Sequence, residues 1–329
     1  MKIKLYMTTN NDKPLKIAFW DNCLCERGTT VALYDYAYYN RKILGNESII
    51  LYNTSRIENN AAVIDKFKKE FAVFGVPHFS QADNILTENG CDVLYIIKAG
   101  DNEGQVSRVV KTVVHCVFSC SQPHGDIYAS IAPWVPANDG KYPHVPHLIS
   151  LPDNDHDMRK RLGIPEDATV FGRHGGYEQF DIPYVHQTVY EIAKHFRNIY
   201  FLFVNTRPFC PDLPNIIHLG QIIDLNDKVE FINTCDAMIW ARSGGEVFSL
   251  SQGEFSIRNK PIITTNCGAD GHVHLLGHRA LWYNQNNLYT ILVTFDREEV
   301  KFQDWNAYRE YTPEKVMNVF KDVFLTDNK

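Results

Sequence analysis

The feature that most constrains this chain is a rhythm. From residue 16 onward, short apolar runs alternate with helix-length segments; the pattern stops at a proline-rich stretch and then starts again. A short run of consecutive apolar residues suits a strand buried on both faces, and such strands belong to parallel sheets whose crossovers are helices. The class is therefore α/β. In the first series, 16–20 (KIAFW), 48–52 (SIILY), 72–74 and 92–97 (DVLYII) read as strands, and 29–44 and 60–71 as helices. Residues 109–117 and 127–134 supply further apolar segments.

The interruption, 133–147 (PWVPANDGKYPHVPH), carries four prolines, which fix local backbone and stop a helix from running through. A boundary at 141–150 follows. The second series has strands at 169–172, 200–204 (YFLFV), 216–219, 237–240 (AMIW) and 261–264 (PIIT), with helices at 184–196, 225–234 and 247–255. An amphipathic helix over 312–325 closes the chain, with Thr312 as its cap and Pro313 in its first turn. A length of 329 residues suits two domains better than one, and two domains imply a cleft. The expected division is 1–145 as an acceptor-side domain, 146–305 as a donor-binding domain, and 306–329 as a helix packing back on the first domain.

Composition limits the function classes. Apolar residues at 44% and charged ones at 22% mark a folded soluble chain. A formal charge of -6 leaves no basic footprint for nucleic acid, so a phosphate site has to be built locally. The N-terminus, MKIKLYMTTNNDKPLKIAF, lacks an export signal, and no run reaches the roughly 18 apolar residues of a membrane span. A cytoplasmic location is expected. The eight cysteines then read as reduced thiols, and the spacing of Cys23, Cys25, Cys116 and Cys120 around His115 matches zinc ligation poorly.

Chemistry concentrates in 235–265 (CDAMIWARSGGEVFSLSQGEFSIRNKPIITT). A buried strand ends at Trp240, Gly244 and Gly245 permit a tight turn, and the helix expected next aims its N-terminal amides over the strand ends, where they favour an anion. Glu246 stands at the mouth of the turn. Glu254, eight residues on, would lie on nearly the same helix face about 12 Å further along. Two carboxylates flanking a phosphate cradle suit a nucleoside diphosphate sugar, which carries hydroxyls at both ends and charge between them.

E-V-F-S-L-S-Q-G-E followed by N-K-P-I-I-T resembles the E-x7-E signature and next strand of the retaining glycosyltransferases of family 4. Upstream, Leu151-Pro152, 159–165 (RKRLGIP), 170–176 (VFGRHGG) and Asp236 resemble that family's donor domain, so the likeness covers roughly 145–285. It implies the GT-B fold, two Rossmann-like domains with parallel sheets facing across a cleft. It implies that Glu246 contacts donor-sugar hydroxyls, Glu254 the ribose, and the amides of Glu246, Val247 and Phe248 the diphosphate. Of the family's R-x4-K pair, Arg173 fits the arginine. Where the lysine belongs, the chain reads Tyr177-Glu178-Gln179; Arg242 is the expected substitute and Arg207 a weaker one. By the same likeness Arg27 and Gly28 form a loop near donor phosphate and acceptor, and His115 lines the cleft. Gly268, Asp270 and His272 are further candidate contacts.

The implied reaction transfers a sugar from a UDP-, GDP- or dTDP-linked donor to a glycan or other hydroxyl acceptor, with retention and with no metal or cofactor. Two alternatives stay open: a nucleotide-sugar epimerase or nicotinamide oxidoreductase, disfavoured by the lack of G-x-G-x-x-G after the first strand, and a non-catalytic binding protein of the same fold.

Overall fold

The computed structural model describes residues 13–326. The stretch read for an export signal lies, up to residue 12, outside the described residues, as do 327–329. The first half runs β1 (Lys16–Asp21), α1 (Gly28–Lys42), β2 (Glu47–Asn53), α2 (Ala61–Glu70), β3 (Ala72–Val76), α3 (Ala82–Glu88), β4 (Val93–Lys98), β5 (Lys111–Cys116) and β6 (Ile127–Ser130). The second runs α4 (Arg159–Leu162), β7 (Thr169–His174), α5 (Pro183–His195), β8 (Ile199–Val204), β9 (Ile216–Leu219), α6 (Leu225–Thr234), β10 (Ala237–Ile239) and β11 (Gly245–Glu246). It continues through α7 (Leu250–Ile257), β12 (Ile262–Thr264), β13 (Ala269–Asp270), α8 (Gly271–Leu276), β14 (Leu281–Trp282) and α9 (Leu288–Val293), and ends with α10 (Pro313–Phe320) and a wider turn of helix (Lys321–Leu325).

The apolar runs form two six-stranded sheets, β3-β2-β1-β4-β5-β6 and β14-β12-β10-β7-β8-β9. Every ladder within them is parallel. The central strands are buried on both faces, β4 along its whole length, which explains why they read as continuous hydrophobic runs. Side-chain caps start the helices at the expected places: Asn60 accepts from the Ala62 amide at 2.9 Å, and Asp224 from Asn226 at 2.8 Å. Along the closing helix Phe320 stacks on Tyr36 of α1 at 5.3 Å, and beyond it Phe324 meets Tyr95 of β4 edge-on at 5.7 Å.

The helix expected over 247–255 is corrected. Gly245 and Glu246 instead pair as a two-residue strand with Ala269 and Asp270, and the helix starts only at Leu250. Ser249 caps it through a hydroxyl that accepts from the Gln252 amide at 3.4 Å. Glu246 and Glu254 therefore do not share a helix face. Pairing with a segment some twenty residues away in sequence overrode local propensity.

Candidate functional site

In each sheet the strand order reverses once, between β1 and β4 in the first and between β7 and β10 in the second. Open parallel sheets bind ligands outside the carboxyl ends of the strands at such a reversal. In the second sheet that position is framed by Arg173 and His174, which end β7, and by Trp240 to Arg242 just past β10.

The turn carrying Glu246 is built on backbone contact. Gly245 has φ +68°, and a Cβ there would lie 2.2 Å from both the amide nitrogen and the carbonyl oxygen of Ala269. Gly268 faces it with φ +74°, and its Cβ would fall 2.2 Å from the Gly245 nitrogen. Only glycine fits either position. Gly244 is different, since a Cβ there would meet nothing nearer than Arg242 Nε at 3.8 Å. So Gly245 serves the ladder that sets Glu246 in place, and the amides of Glu246 to Phe248 precede the helix rather than forming its first turn. Ser249 holds φ 61°, a left-handed conformation unusual for a residue with a side chain, at the entry to α7.

Glu246 is mostly buried, and its Oε2 lies 3.1 Å from Arg242 Nη1. Burial raises its pKa, with Arg242 and then His272 opposing the rise. Arg173 is buried too, donating to Thr206 Oγ1 at 2.6 Å and to the carbonyls of Asn205 at 3.2 Å and Gly176 at 2.8 Å. Burial brings its pKa down to about 10, while the charge of Glu246 acts to raise it and that of Arg242 to lower it further. Arg242 thus touches Glu246, and the charges of both are felt at Arg173. Asp181 secures the Arg242 turn from the other side, accepting from the amide and hydroxyl of Ser243 at 2.6 and 2.9 Å. A cavity of about 340 Å³ lined by Glu178, Phe180, Asp181, His186, Arg207, Pro208 and Phe209 flanks this turn. Glu178 pairs with Arg207 at 3.1 Å, both well exposed.

Glu254, 6% exposed, is held from two sides. Lys228 on α6 donates to its Oε1 at 2.7 Å, and His174 Nε2 lies 2.9 Å from its Oε2. The second contact is an ion-pair approach off the hydrogen-bonding direction, so Oε2 and His174 Nε2 each lack an aligned hydrogen bond. Burial alone would raise the pKa of Glu254; Lys228 and then His174 outweigh it and bring it down to about 2. His174 is wedged beside Phe255 and edge-on to Phe231, with ring centroids at 5.9 and 5.8 Å. The sequence reading missed both partners. His174 could have been noticed as the neighbour of Arg173, but nothing local in α6 announces that Lys228 will meet a carboxylate across 26 residues.

His115 does not line the cleft. It is 0% exposed; its Nδ1 is bonded to Tyr95 Oη at 2.7 Å and its Nε2 to the Val145 carbonyl at 2.8 Å, so neither nitrogen is left for a ligand. Burial lowers its pKa to about 4. Gly28 does reach the seam between the halves, since a Cβ there would lie 3.6 Å from Leu250 Cδ1 at the start of α7. Arg27 pairs with Glu58 at 3.3 Å on the surface nearby. Across the same seam Trp134 Nε1 donates to the Val247 carbonyl at 2.7 Å and Asn60 to Gln221 at 3.3 Å. Of the further candidates, Asp270 belongs to the strand pair and Gly268 directly precedes it, and Asp270 and His274 sit exposed at 3.5 Å. His272 is buried with Nε2 on the Thr265 carbonyl at 2.8 Å and no partner on Nδ1.

No family model matches the chain, and no curated sequence matches it significantly. Solved structures do. The Anabaena protein HepE, solved with UDP-glucose, superposes with a TM-score of 0.69 at 12% identity, over 94% of this chain and 99% of that one. A glycosyltransferase from Rickettsia africae gives 0.61 at 13% identity over 95% of each chain. WaaG, a glycosyltransferase involved in lipopolysaccharide biosynthesis, gives 0.61 at 10% identity over 94% of this chain and 100% of that one. At such identities the likeness establishes the architecture: the chain has the GT-B fold. No helix among the described residues is long and apolar enough to cross a membrane.

Proposed function

We propose that this protein is a retaining glycosyltransferase that moves a sugar from a nucleoside-diphosphate donor, UDP-, GDP- or dTDP-linked, to a glycan or other hydroxyl acceptor. What supports the reading is the ion pair of Glu246 with Arg242, within electrostatic reach of Arg173 at the strand-order reversal of the second sheet, in a GT-B frame whose structural neighbours include one solved with UDP-glucose. In this reading residues 146–305 bind the donor, 1–145 face the acceptor, and 306–329 pack back on the first domain. Arg173 and Arg242 stabilise charge on the departing diphosphate without a metal, joined by the amides of Val247 and Phe248. Glu246 orients hydroxyls of the donor sugar, and Glu254 sits at the ribose end. Gly28 and Arg27 border the phosphates from the opposite domain. Closure of the cleft keeps water from the anomeric carbon.

One observation favours a second reading, a nucleotide-sugar-binding protein without turnover: Arg173 is committed to three protein partners, and Glu178, in the stretch where the resemblance expects a lysine, is acidic. Thermal shifts with UDP-, GDP- and dTDP-sugars, followed by nucleotide release in the presence of glycan acceptors, separate the two. Stabilisation by none of the donors would end both readings. Binding with no release across the acceptors would leave the second. For a transferase, Glu246→Gln should lower turnover by about a hundredfold or more with the melting temperature little changed, and full retained activity would remove its proposed role.

A further inference from the structure

The first sheet reverses its strand order between β1 and β4, a position that favours a ligand as much as the one in the second sheet does. Asp21 ends β1 and Lys98 ends β4. Lys98 is buried, and its ammonium belongs to a closed ring of side chains. Lys98 Nζ donates to Glu103 Oε2 at 3.0 Å and to Gln105 Oε1 at 3.4 Å. Gln105 Nε2 donates to Asn22 Oδ1 at 2.8 Å, and Asn22 Nδ2 closes the ring on Glu103 Oε2 at 3.5 Å. Trp20 Nε1 also donates to Asn22 Oδ1, at 3.3 Å, so the Asn22 amide is held with its oxygen inward and its nitrogen toward Glu103.

A buried lysine needs a counter-charge, but here only one partner is buried: the side chain of Lys98 is 3% exposed and that of Glu103 is 51% exposed. Arg159 and Asp236, at the amino end of β10, show what a purely structural pair looks like, with exposures of 5% and 9% and further bonds from Arg159 to the Pro165 and Ala168 carbonyls. Glu103 instead stands open on the crossover from β4 to β5. Both contacts of its carboxylate fall on Oε2, which leaves Oε1 without a hydrogen bond among the described residues. Bonded steps connect this ring to the donor half. The Val117 and Phe118 amides donate to the Lys98 and Ala99 carbonyls, both at 2.9 Å, and the Cys120 amide to the Pro136 carbonyl at 2.8 Å. Trp134, two residues before Pro136, bonds the carbonyl of Val247, the residue after Glu246.

We propose that this ring is the acceptor subsite, in which Glu103 binds adjacent hydroxyls of a neutral sugar and Lys98 positions its carboxylate. The assignment of the sugar as acceptor rests on the transferase reading above. A carboxylate offers about four lone-pair sites, and two on Glu103 are filled; those left match the paired donors of a vicinal diol. Neutrality follows from the charges at this edge. Lys98 is spent on Glu103, while Arg56 and Arg27 both lie on Glu58, at 3.1 and 3.3 Å. Asp21 and Asp101 add negative charge without a cation beside them, so a phosphate or uronate would meet like charge rather than a partner. Phe118, half exposed on the loop bonded to Ala99, supplies an apolar face of the kind a pyranose ring covers.

The test titrates the full-length protein with the methyl glycosides of glucose, galactose, mannose, N-acetylglucosamine and glucuronic acid, read by saturation-transfer NMR, and measures the thermal shift with nucleotide sugars alongside. At least one neutral glycoside is expected to bind, with the glucuronide about tenfold weaker or more. Glu103→Gln, an exposed and nearly isosteric change, is expected to weaken that glycoside about tenfold while the melting temperature and the donor shift stay as in the wild type. Lys98→Met is expected to weaken it about threefold, and the double variant to bind no more weakly than Glu103→Gln alone, since Lys98 acts through Glu103. Binding by none of the neutral glycosides, a glucuronide bound as tightly as they are, or full binding by Glu103→Gln would each overturn the proposal. Additive losses in the double variant would overturn the role of Lys98. Glycoside binding that depends on Glu103 in a protein that no nucleotide sugar stabilises would refute sugar transfer and uphold the sugar site.

Discussion

Replacing Lys228 with methionine keeps the length and apolar stem of the side chain and removes its ammonium from Glu254. In the wild type Glu254 is 6% exposed, and Lys228 at 2.7 Å is, among the described residues, its one full counter-charge within hydrogen-bond distance, because burial lowers the pKa of His174. Two opposing effects act on Glu254, burial raising its pKa and its cationic neighbours lowering it, and the second wins, bringing it to about 2 from 4.5. A difference of this size corresponds to about 3 kcal/mol of stability. Because the folded value lies below the unfolded one, that stability is fully present above pH 4.5 and is lost as pH falls toward 2. Lys228→Met removes the winning effect and leaves the carboxylate buried, a loss of roughly 3–5 kcal/mol. In a chain of this length that is a fall of about 4–7 °C in the melting temperature. Calorimetry on the wild type, Lys228→Met, Glu254→Gln and the double variant is the assay. The double variant should recover at least half the loss, since no buried charge remains unpaired. A single substitution costing under about 1 kcal/mol, or a double variant no more stable than Lys228→Met, would refute the reasoning.

The glycine ladder predicts opposite outcomes at adjacent positions: Gly245→Ala, with φ +68° and a backbone clash at 2.2 Å, should cost about 2 kcal/mol or more and displace Glu246, whereas Gly244→Ala should stay within about 0.5 kcal/mol in denaturant unfolding. His115→Leu should cost about 1–3 kcal/mol by stranding the Val145 carbonyl and Tyr95 hydroxyl, yet leave the thermal shift produced by nucleotide sugars unchanged; a lost shift would return His115 to the cleft. With a folded pKa of about 4 against 6.5, neutral His115 supports folding above pH 6.5 and that support falls away toward pH 4, so the variant should show a flatter stability curve over this window.

Much of the fold was legible because its cause is local. A strand buried on both faces must be apolar throughout, so KIAFW, DVLYII and YFLFV announced themselves, and Thr312 marked a helix start by the bond its side chain makes. Short elements such as β11, β13 and β14 were not legible, since two residues carry no periodicity and exist only through their partners. The same division runs through the site. Patterning alone placed Glu246, Glu254, Gly244 and Gly245 near a strand end, and placed Arg173 at the end of another. Tertiary structure decided what each one touches: that Gly245 closes against Ala269, that Glu246 stands before the helix and meets Arg242, that Glu254 answers Lys228 and His174, and that His115 is sealed between Tyr95 and Val145. Periodicity records which face of an element is buried, a property of neighbouring residues; a charge or a hydrogen bond finds its partner through space, and its place along the chain bears no trace of that meeting.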